Sequence, residues 1–137
     1  MIKEALLNEL SHNTYVILKP SSIDGIGVYA IKDIPKGCRD MFSKTDPEDR
    51  WITITRNEVA SLPEHARFLI GNYCLYDEDH YFVPGRGFKK IDLSLFLNHS
   101  NQPNIISIDH GDFFETTRDI KKGEELLVDY GEIVDDI

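Results

Sequence analysis

The chain has 137 residues, of which 41% are hydrophobic and 28% are charged, and these proportions are typical of one globular domain. Its net charge of −9 argues against direct binding to nucleic acid. The sequence contains no run of about 18 apolar residues, so no membrane helix is predicted. The acidity suits a cationic partner such as a lysine-rich peptide, but taken alone it is better explained by an ordinary solvated surface. The N-terminus lacks the pattern of a secretory signal, so we expect a cytoplasmic protein, or a host nuclear one if the source is a pathogen or virus.

The N-terminal third predicts one helix followed by short strands. Ile2, Leu6 and Leu10 recur every four residues, which is typical of a short amphipathic helix. Apolar and β-branched residues then predict strands at 14–20, at 27–31, around 41–42 and at 51–55.

A small helical insert is predicted next, over about 56–84. Thr55 and Glu58 have the spacing of a capping box, so a helix should begin near residue 56. Ser61 and Pro63 predict a second helix start, running to about Gly71. The insert then ends in an aromatic-rich hairpin over residues 72–84, with an acidic turn at 77–79.

The C-terminal third predicts a second hairpin at 105–117, with its turn at 110–112, and a last strand at 125–130. One pattern occurs twice, as Asp-Ile-Pro-Lys-Gly at 33–37 and Asp-Ile-Lys-Lys-Gly at 119–123. Each copy supplies an apolar residue, a polar turn and a glycine that tolerates positive φ. The sequence as a whole therefore predicts a mainly β domain.

Two cysteines, Cys38 and Cys74, occur without a CxxC pair or a Cys/His cluster. We expect free thiols with no catalytic role, and no metal site. A disulfide between them stays open, because the sequence does not show how far apart they lie.

Three further stretches could carry chemistry. Gly25-x-Gly27 permits close approach of a ligand to the backbone, although such a pair is also an ordinary turn. FLNHSNQPN, at 96–104, places polar groups directly after an apolar segment, so those groups must contact a ligand, water or backbone, or form an Asn-rich turn. Tyr130 ends the last strand, where its ring could be core with a surface hydroxyl or could serve a site.

Three segments in this order carry a resemblance: SSIDGIGVYAIKDIPKG, then FLNHSNQPN, then IKKGEELLVDYG. Together they resemble the SET-domain protein lysine methyltransferases, in particular the minimal single-domain SET proteins of bacteria and viruses. The resemblance covers roughly residues 14–131. It implies a fold of small β-sheets, with a C-terminal pseudoknot in which the NHS and DYG segments pass one through the other, in a single domain over residues 1–137.

The resemblance also implies S-adenosyl-L-methionine as cofactor and S-adenosyl-L-homocysteine as product. By position, the backbone around Ile26 and Gly27 should border the methionine portion of the cofactor. Asn98 should bind its amino or carboxylate end, and the main chain of His99 should meet the adenine. Tyr130 matches the catalytic tyrosine of the family and should orient the amine and the methyl group.

The same resemblance implies a lysine-containing basic protein or peptide as substrate. Val128 lies where many members carry Phe or Tyr and should line the lysine channel, which leaves the number of methyl groups open. Tyr73 and Tyr76 are candidate substrate contacts, or else ordinary strand pairs. The tail at 132–137 is too short for the zinc-binding cap of some members, so the tail itself or the second subunit of a homodimer would complete the channel.

Leu95 departs from the family pattern, which often has Arg at this position. This departure and the short tail support an alternative in which the chain is a weakly active or inactive SET-fold module that binds a basic peptide or the cofactor. A β-rich scaffold with an unrelated interaction role is a third hypothesis. The pairing of Asn98 with Tyr130 favours the enzyme over both alternatives.

Overall fold

The protein was analysed as a computed structural model, which describes residues 2–42, 51–109, 111 and 113–135. Its elements in chain order are α1 (Lys3–His12), β1 (Val16–Pro20), β2 (Ile26–Ala30), β3 (Trp51–Thr55), α2 (Arg56–Ala60), α3 (Glu64–Tyr73), β4 (Leu75–Tyr76), β5 (His80–Pro84), a 3-10 helix (Leu93–Phe96), β6 (Asn98–His99), β7 (Ile105–Ile108), β8 (Phe113–Thr116), β9 (Glu125–Val128) and α4 (Tyr130–Asp135). Short strands around a small helical insert confirm the predicted mainly β fold.

The strands of the described residues form three small sheets. One has the order β1-β2-β9-β6, the second β3-β5-β4, and the third pairs β7 with β8. Among these nine described strands, the pairings are antiparallel except that of β6 with β9, which is parallel and aligns Asn98 with Leu127. This parallel pair joins the NHS segment to the DYG segment, although the predicted threading of one through the other stays a prediction.

The two Asp-Ile-x-Lys-Gly copies pair with each other. The backbone N–H of Ile34 donates to Ile120 O, and that of Ile120 donates to Ile34 O, both at 2.8 Å. Both isoleucines are buried, at 1% and 0% exposed. In each copy the backbone N–H of the lysine donates to the aspartate side chain of the other copy: Lys36 donates to Asp119, and Lys122 donates to Asp33. The repeated pattern is therefore one structural unit that fixes β2 and the approach to β9 from two sides.

Most of the predicted elements are present, and the differences are local. The piece around Met41-Phe42 is a bend rather than a strand, and Met41 contributes to the core instead. The last strand ends at Val128, so Tyr130 begins α4 rather than closing a strand. The turn predicted at 110–112 includes two residues, 110 and 112, that lie outside the described residues. The apolar residues predicted for the α1 face are exposed, and α1 has no buried residue.

In the part of the chain that the structure describes, two apolar clusters stabilise the fold. The larger one joins β2, β9, β7 and β8 through residues such as Val28, Leu126 and Ile105, each of which is 0% exposed. The smaller one lies in the helical insert, where Val59 and Ile70 pack with Val83. Burying these apolar surfaces positions the sheet edges that carry the candidate site.

The capping box predicted for α2 is present. Thr55 Oγ1 accepts from Glu58 N at 3.1 Å, while Glu58 Oε1 accepts from Thr55 N at 3.0 Å. These two hydrogen bonds satisfy N–H groups that the helix itself leaves free, so α2 begins where the sequence predicts.

Asn104 connects the end of the NHS segment to β9. Its side-chain Nδ2 donates to Glu125 O at 2.9 Å, and its Oδ1 accepts from Leu127 N at 2.8 Å. The residue is only 3% exposed, so its side chain makes both hydrogen bonds out of contact with bulk water. An Asn-rich turn was one of the alternatives for residues 96–104, and within that stretch the Asn104 side chain hydrogen-bonds to the backbone of β9.

We expect Asn104→Ala to lower the free energy of unfolding by about 2 kcal/mol, because two buried backbone groups lose their partners. Thermal or urea unfolding followed by circular dichroism measures this loss. Gln102→Ala is the matched control, since it removes an exposed amide from the same loop. Equal stability of the two variants would contradict the structural role of Asn104.

Candidate active site

A cavity of about 560 Å³ opens where four segments meet. The lining residues come from the turn before β2, from the segment at 94–98, from the end of α3 with β4, and from the start of α4. Of the described residues that line the cavity, Asp24 is the one charged side chain. Most of the remaining wall is apolar or aromatic, which is typical of a small-molecule site with a few oriented polar groups.

The cavity brings together most of the residues predicted from the sequence. Those that line it are Ile26, Tyr73, Tyr76, Asn98, Val128 and Tyr130. The parallel pairing of β6 with β9 places Asn98 and Tyr130 at one site, although they are distant in the sequence. Gly27 and His99 do not line the cavity but contact residues that do. The predicted roles of all eight residues stay predictions.

Gly27 is required because a side chain would collide with the cluster behind the cavity. A Cβ at this position would lie 2.8 Å from Glu125 Cδ and 3.1 Å from Asn98 Nδ2. The backbone of β2 therefore packs directly against these two side chains. This explains the second glycine of Gly25-x-Gly27 by packing, whereas Gly25 has a positive φ of 43° and serves the turn.

The side chain of Asn98 has a defined orientation. Its Nδ2 donates to Asp24 O at 3.1 Å and to Glu125 Oε2 at 2.8 Å, which uses both amide hydrogens. Within the described part of the chain no donor reaches Asn98 Oδ1, and this oxygen is not fully enclosed by protein atoms. Asn98 therefore offers the cavity a hydrogen-bond acceptor.

The hydroxyl of Tyr130 donates to Leu97 O at 2.5 Å, at the base of the cavity. Burial raises the pKa of Tyr130 above its usual value, and the negative charges of Asp24 and Glu125 raise it further. The hydroxyl is therefore protonated at neutral pH and is a poor proton acceptor. Asp24 and Glu125 also give this end of the cavity a negative potential, which favours a cationic ligand.

His99 supports the site from outside. Its Nδ1 accepts a hydrogen bond from the backbone N–H of Tyr130 at 3.0 Å, so the neutral ring carries its proton on Nε2, which lies 3.2 Å from Asn101 Oδ1. The His99 and Tyr130 rings lie 5.2 Å apart between centroids. His99 thus fixes the start of α4, and its main chain pairs with β9.

The two candidate substrate tyrosines have different surroundings. The Tyr73 ring packs against Phe88 and Phe96, with centroids 6.0 and 6.2 Å apart. Tyr76 is 59% exposed, and the Arg56 guanidinium lies over its ring, 5.3 Å from the centroid. Tyr73 is therefore part of a fixed aromatic wall, whereas Tyr76 lies at the cavity mouth.

Asp24, Trp51 and Glu125 were missed in the sequence. Asp24 lines the cavity, and Glu125 adds a second negative charge close to it. Trp51 and Ile133 also line the cavity, and both lie within 4 Å of the position a Cβ would take on Gly111. Ile133 is 7% exposed and belongs to the tail that was predicted to pack over the channel. Glu125 is one of two adjacent glutamates, and only the strand pairing shows which one points inward.

The described residues contain no group of three or more His, Cys, Asp or Glu side chains arranged to bind a metal. Cys38 and Cys74 are both free thiols. Burial raises the pKa of Cys74 to about 11, so this thiol is uncharged at neutral pH and a weak nucleophile. Within the same residues, no helix has the length and apolar character needed to cross a membrane.

Comparison with known proteins identifies this arrangement. A family model described as the SET domain matches residues 25–131. Histone-lysine N-methyltransferase 2D of Homo sapiens and that of Mus musculus are each 32% identical to the chain, in an alignment 140 positions long that covers 91% of the chain. The match spans only 2% of the length of either relative.

Solved structures share the fold. A Plasmodium falciparum protein assigned as a histone methyltransferase superposes with a TM-score of 0.52 at 19% identity, covering 86% of this chain and 94% of the other. A chain of a humanized mutant of the Chaetomium thermophilum Polycomb Repressive Complex 2, bound to the inhibitor GSK126, gives a TM-score of 0.58 at 21% identity. That match covers 93% of this chain and 18% of the other.

Proposed function

The chain belongs to the SET-domain family, and we propose that it is an S-adenosyl-L-methionine-dependent protein lysine N-methyltransferase. The observation that carries the proposal is that Asn98 and Tyr130 line the same cavity. Asn98 supplies an amide oxygen that can accept a hydrogen bond, and Tyr130 supplies a protonated hydroxyl. The names of the matching relatives and of the Plasmodium structure support the same reaction class.

The residues at the polar end of the cavity fit the cofactor. Asn98 Oδ1 is an acceptor without a donor among the described residues, so it suits the α-ammonium of the cofactor rather than its carboxylate. Asp24 and Glu125 provide negative charge that complements a sulfonium and an ammonium. The backbone of Ile26 and Gly27 would border the methionine portion, and the main chain of His99 would meet the adenine.

The apolar wall fits the lysine side chain. Val128 lines the cavity and is 0% exposed, so it contributes a dry surface with no polar atom of its side chain. A lysine has a pKa near 10.4, and making its amine neutral at pH 7 corresponds to about 5 kcal/mol. Removal from water shifts the amine towards its neutral form, which is the form with a free electron pair. Tyr73 and Tyr76 would contact the peptide at the entrance.

Tyr130 would orient the reacting groups instead of accepting a proton. Its hydroxyl is already a donor to Leu97 O, and its raised pKa keeps the proton in place. When bound, S-adenosylmethionine would supply a methyl group on a positively charged sulfur. The lysine ammonium would first lose a proton to solvent, and attack by the neutral amine would then leave a neutral thioether and a methylated ammonium. The oxygen lone pairs of Tyr130 and the carbonyl of Leu97 would align the amine for this displacement.

The partner and the setting belong to the proposal as well. The net charge of −9 supports a lysine-containing basic protein or peptide as substrate. We also propose one domain over the whole chain, with the specificity region at 56–84, and a homodimer only if a second subunit is needed to complete the lysine channel. A cytoplasmic or host nuclear location stays a prediction.

We expect purified protein incubated with S-adenosyl-L-[methyl-³H]methionine to label lysine-containing basic peptides and proteins. The same peptides with lysine replaced by arginine should stay unlabelled, because the site requires an amine that can become neutral. Scintillation counting with mass spectrometry of the product measures transfer and the number of methyl groups.

Failure of transfer across a broad panel of basic proteins would contradict the enzyme. Retained calorimetric binding of S-adenosylhomocysteine in that case would favour the binding-module alternative. Labelling of the arginine peptides would contradict lysine as the acceptor.

A further inference from the structure

Glu125 forms the centre of a polar cluster behind the cavity. Its Oε1 accepts from Ser21 Oγ at 2.8 Å and from Tyr29 OH at 3.1 Å. Its Oε2 accepts from Asn98 Nδ2 at 2.8 Å, and Gly27 leaves the space that the carboxylate occupies. Three donors from two strands and a turn therefore converge on one side chain.

The geometry points to Glu125 as a positioning residue, which fixes the amide of Asn98 so that Oδ1 faces the cofactor's ammonium. This inference rests on the proposed function, because it assigns a direction of recognition within the same site. Glu125 is thus the group that decides which end of the Asn98 amide faces the cofactor.

The physical reason is that an isolated amide can rotate by 180° and exchange its donor and acceptor ends. A carboxylate is an acceptor only, and so is the backbone carbonyl of Asp24 on the other side. The flipped amide would direct Oδ1 at these two oxygens and lose both hydrogen bonds. It would also present an NH₂ group to a cationic ammonium, which repels it.

Ser21 and Tyr29 make Glu125 suitable for this task. Tyr29 donates to Oε1, and the Ser21 hydroxyl lies 2.8 Å from Oε1 and 3.0 Å from Oε2. Together they fix the carboxylate, while Oε2 is directed at the amide of Asn98. The hydroxyls also satisfy the charge in a partly buried place. Glu125 needs no contact with the cofactor to act in this way.

The test is calorimetric binding of S-adenosylhomocysteine and of its analogue that lacks the α-amino group. We expect Glu125→Ala to weaken S-adenosylhomocysteine binding about tenfold and to leave the analogue almost unchanged, because only the ammonium senses the direction of the amide. Glu125→Gln should stay close to the native protein, since its amide oxygen can still accept from Asn98. Glu4→Ala removes an exposed glutamate from α1 and is the matched control.

A second pair of variants tests the coupling directly. Asn98→Asp places two carboxylates together and should weaken S-adenosylhomocysteine binding. Adding Glu125→Gln should recover part of the loss, because the introduced amide can donate to the new acid. This double-mutant cycle does not use Glu125→Ala, so it still tests the positioning role if Glu125→Ala does not fold.

Equal losses for the two ligands in Glu125→Ala, or no recovery in the double variant, would overturn the positioning role and leave the methyltransferase proposal intact. Failure of the native protein to bind S-adenosylhomocysteine at all would overturn both. Selective loss with recovery would establish the role of Glu125.

Discussion

Tyr130→Phe is expected to lower the rate of methyl transfer at saturating substrates about 100-fold, while binding of S-adenosylhomocysteine changes less than about threefold. The hydroxyl lies within the cavity and donates to Leu97 O, so its removal takes away the group that orients the amine. Phenylalanine keeps the ring and its packing against His99. Single-turnover transfer of radiolabelled methyl groups and calorimetry measure the two effects separately.

The fold should survive this change. The backbone N–H of Tyr130 still donates to His99 Nδ1, so the start of α4 stays in place. Tyr15→Phe is the matched control, because Tyr15 lies before β1, where the Lys32 Nζ is 4.2 Å from its ring centroid, and it does not line the cavity. A native rate in Tyr130→Phe would exclude the assigned role, and a similar loss in Tyr15→Phe would indicate a general effect on folding.

The pH dependence provides a further distinction. Because burial and two nearby carboxylates raise the pKa of Tyr130, its hydroxyl does not ionise as the pH rises from about 6 to about 9. A rise in kcat/KM over that range therefore reflects deprotonation of the target lysine. The rise should persist in Tyr130→Phe at a lower absolute rate. Its disappearance in that variant would identify Tyr130 as the titrating group.

The sequence predicted the parts of the fold that depend on local pattern. The capping box at Thr55 and Glu58 and the strand at 51–55 follow from residue types that act over a few positions. The mutual pairing of the two Asp-Ile-x-Lys-Gly copies could not be predicted, because it joins Ile34 to Ile120 across most of the chain. The family resemblance predicted which segments belong to the site, whereas only the strand pairing seen in the structure shows which residues of those segments are in contact.

The candidate site divides in the same way. Asn98 and Tyr130 stand in short motifs that can be recognised in a sequence, whereas Asp24 and Trp51 join the cavity only through tertiary packing. Glu125 illustrates the limit most clearly. It stands beside Glu124, which pairs with Arg118 at the surface, and only the register of β9 directs one of the two acids inward.

Asn98→Ala is expected to weaken S-adenosylmethionine and S-adenosylhomocysteine binding about 10- to 100-fold, because it removes an acceptor for a charged ammonium. The rate at saturating cofactor should fall much less, since Tyr130 and Leu97 keep their places. Calorimetry and the cofactor dependence of the transfer rate measure the two quantities.

The loss in this variant should come from the missing acceptor and not from disorder. Without Asn98 the carboxylate of Glu125 still accepts from Ser21 and Tyr29, so the cluster keeps most of its hydrogen bonds. The pairing of β6 with β9 uses main-chain groups and is unaffected. Asn57→Ala removes an exposed amide from α2 and should bind both ligands as the native protein does. Native affinity in Asn98→Ala would place the cofactor's ammonium elsewhere, and the negative potential of Asp24 would then be the stronger attraction for it.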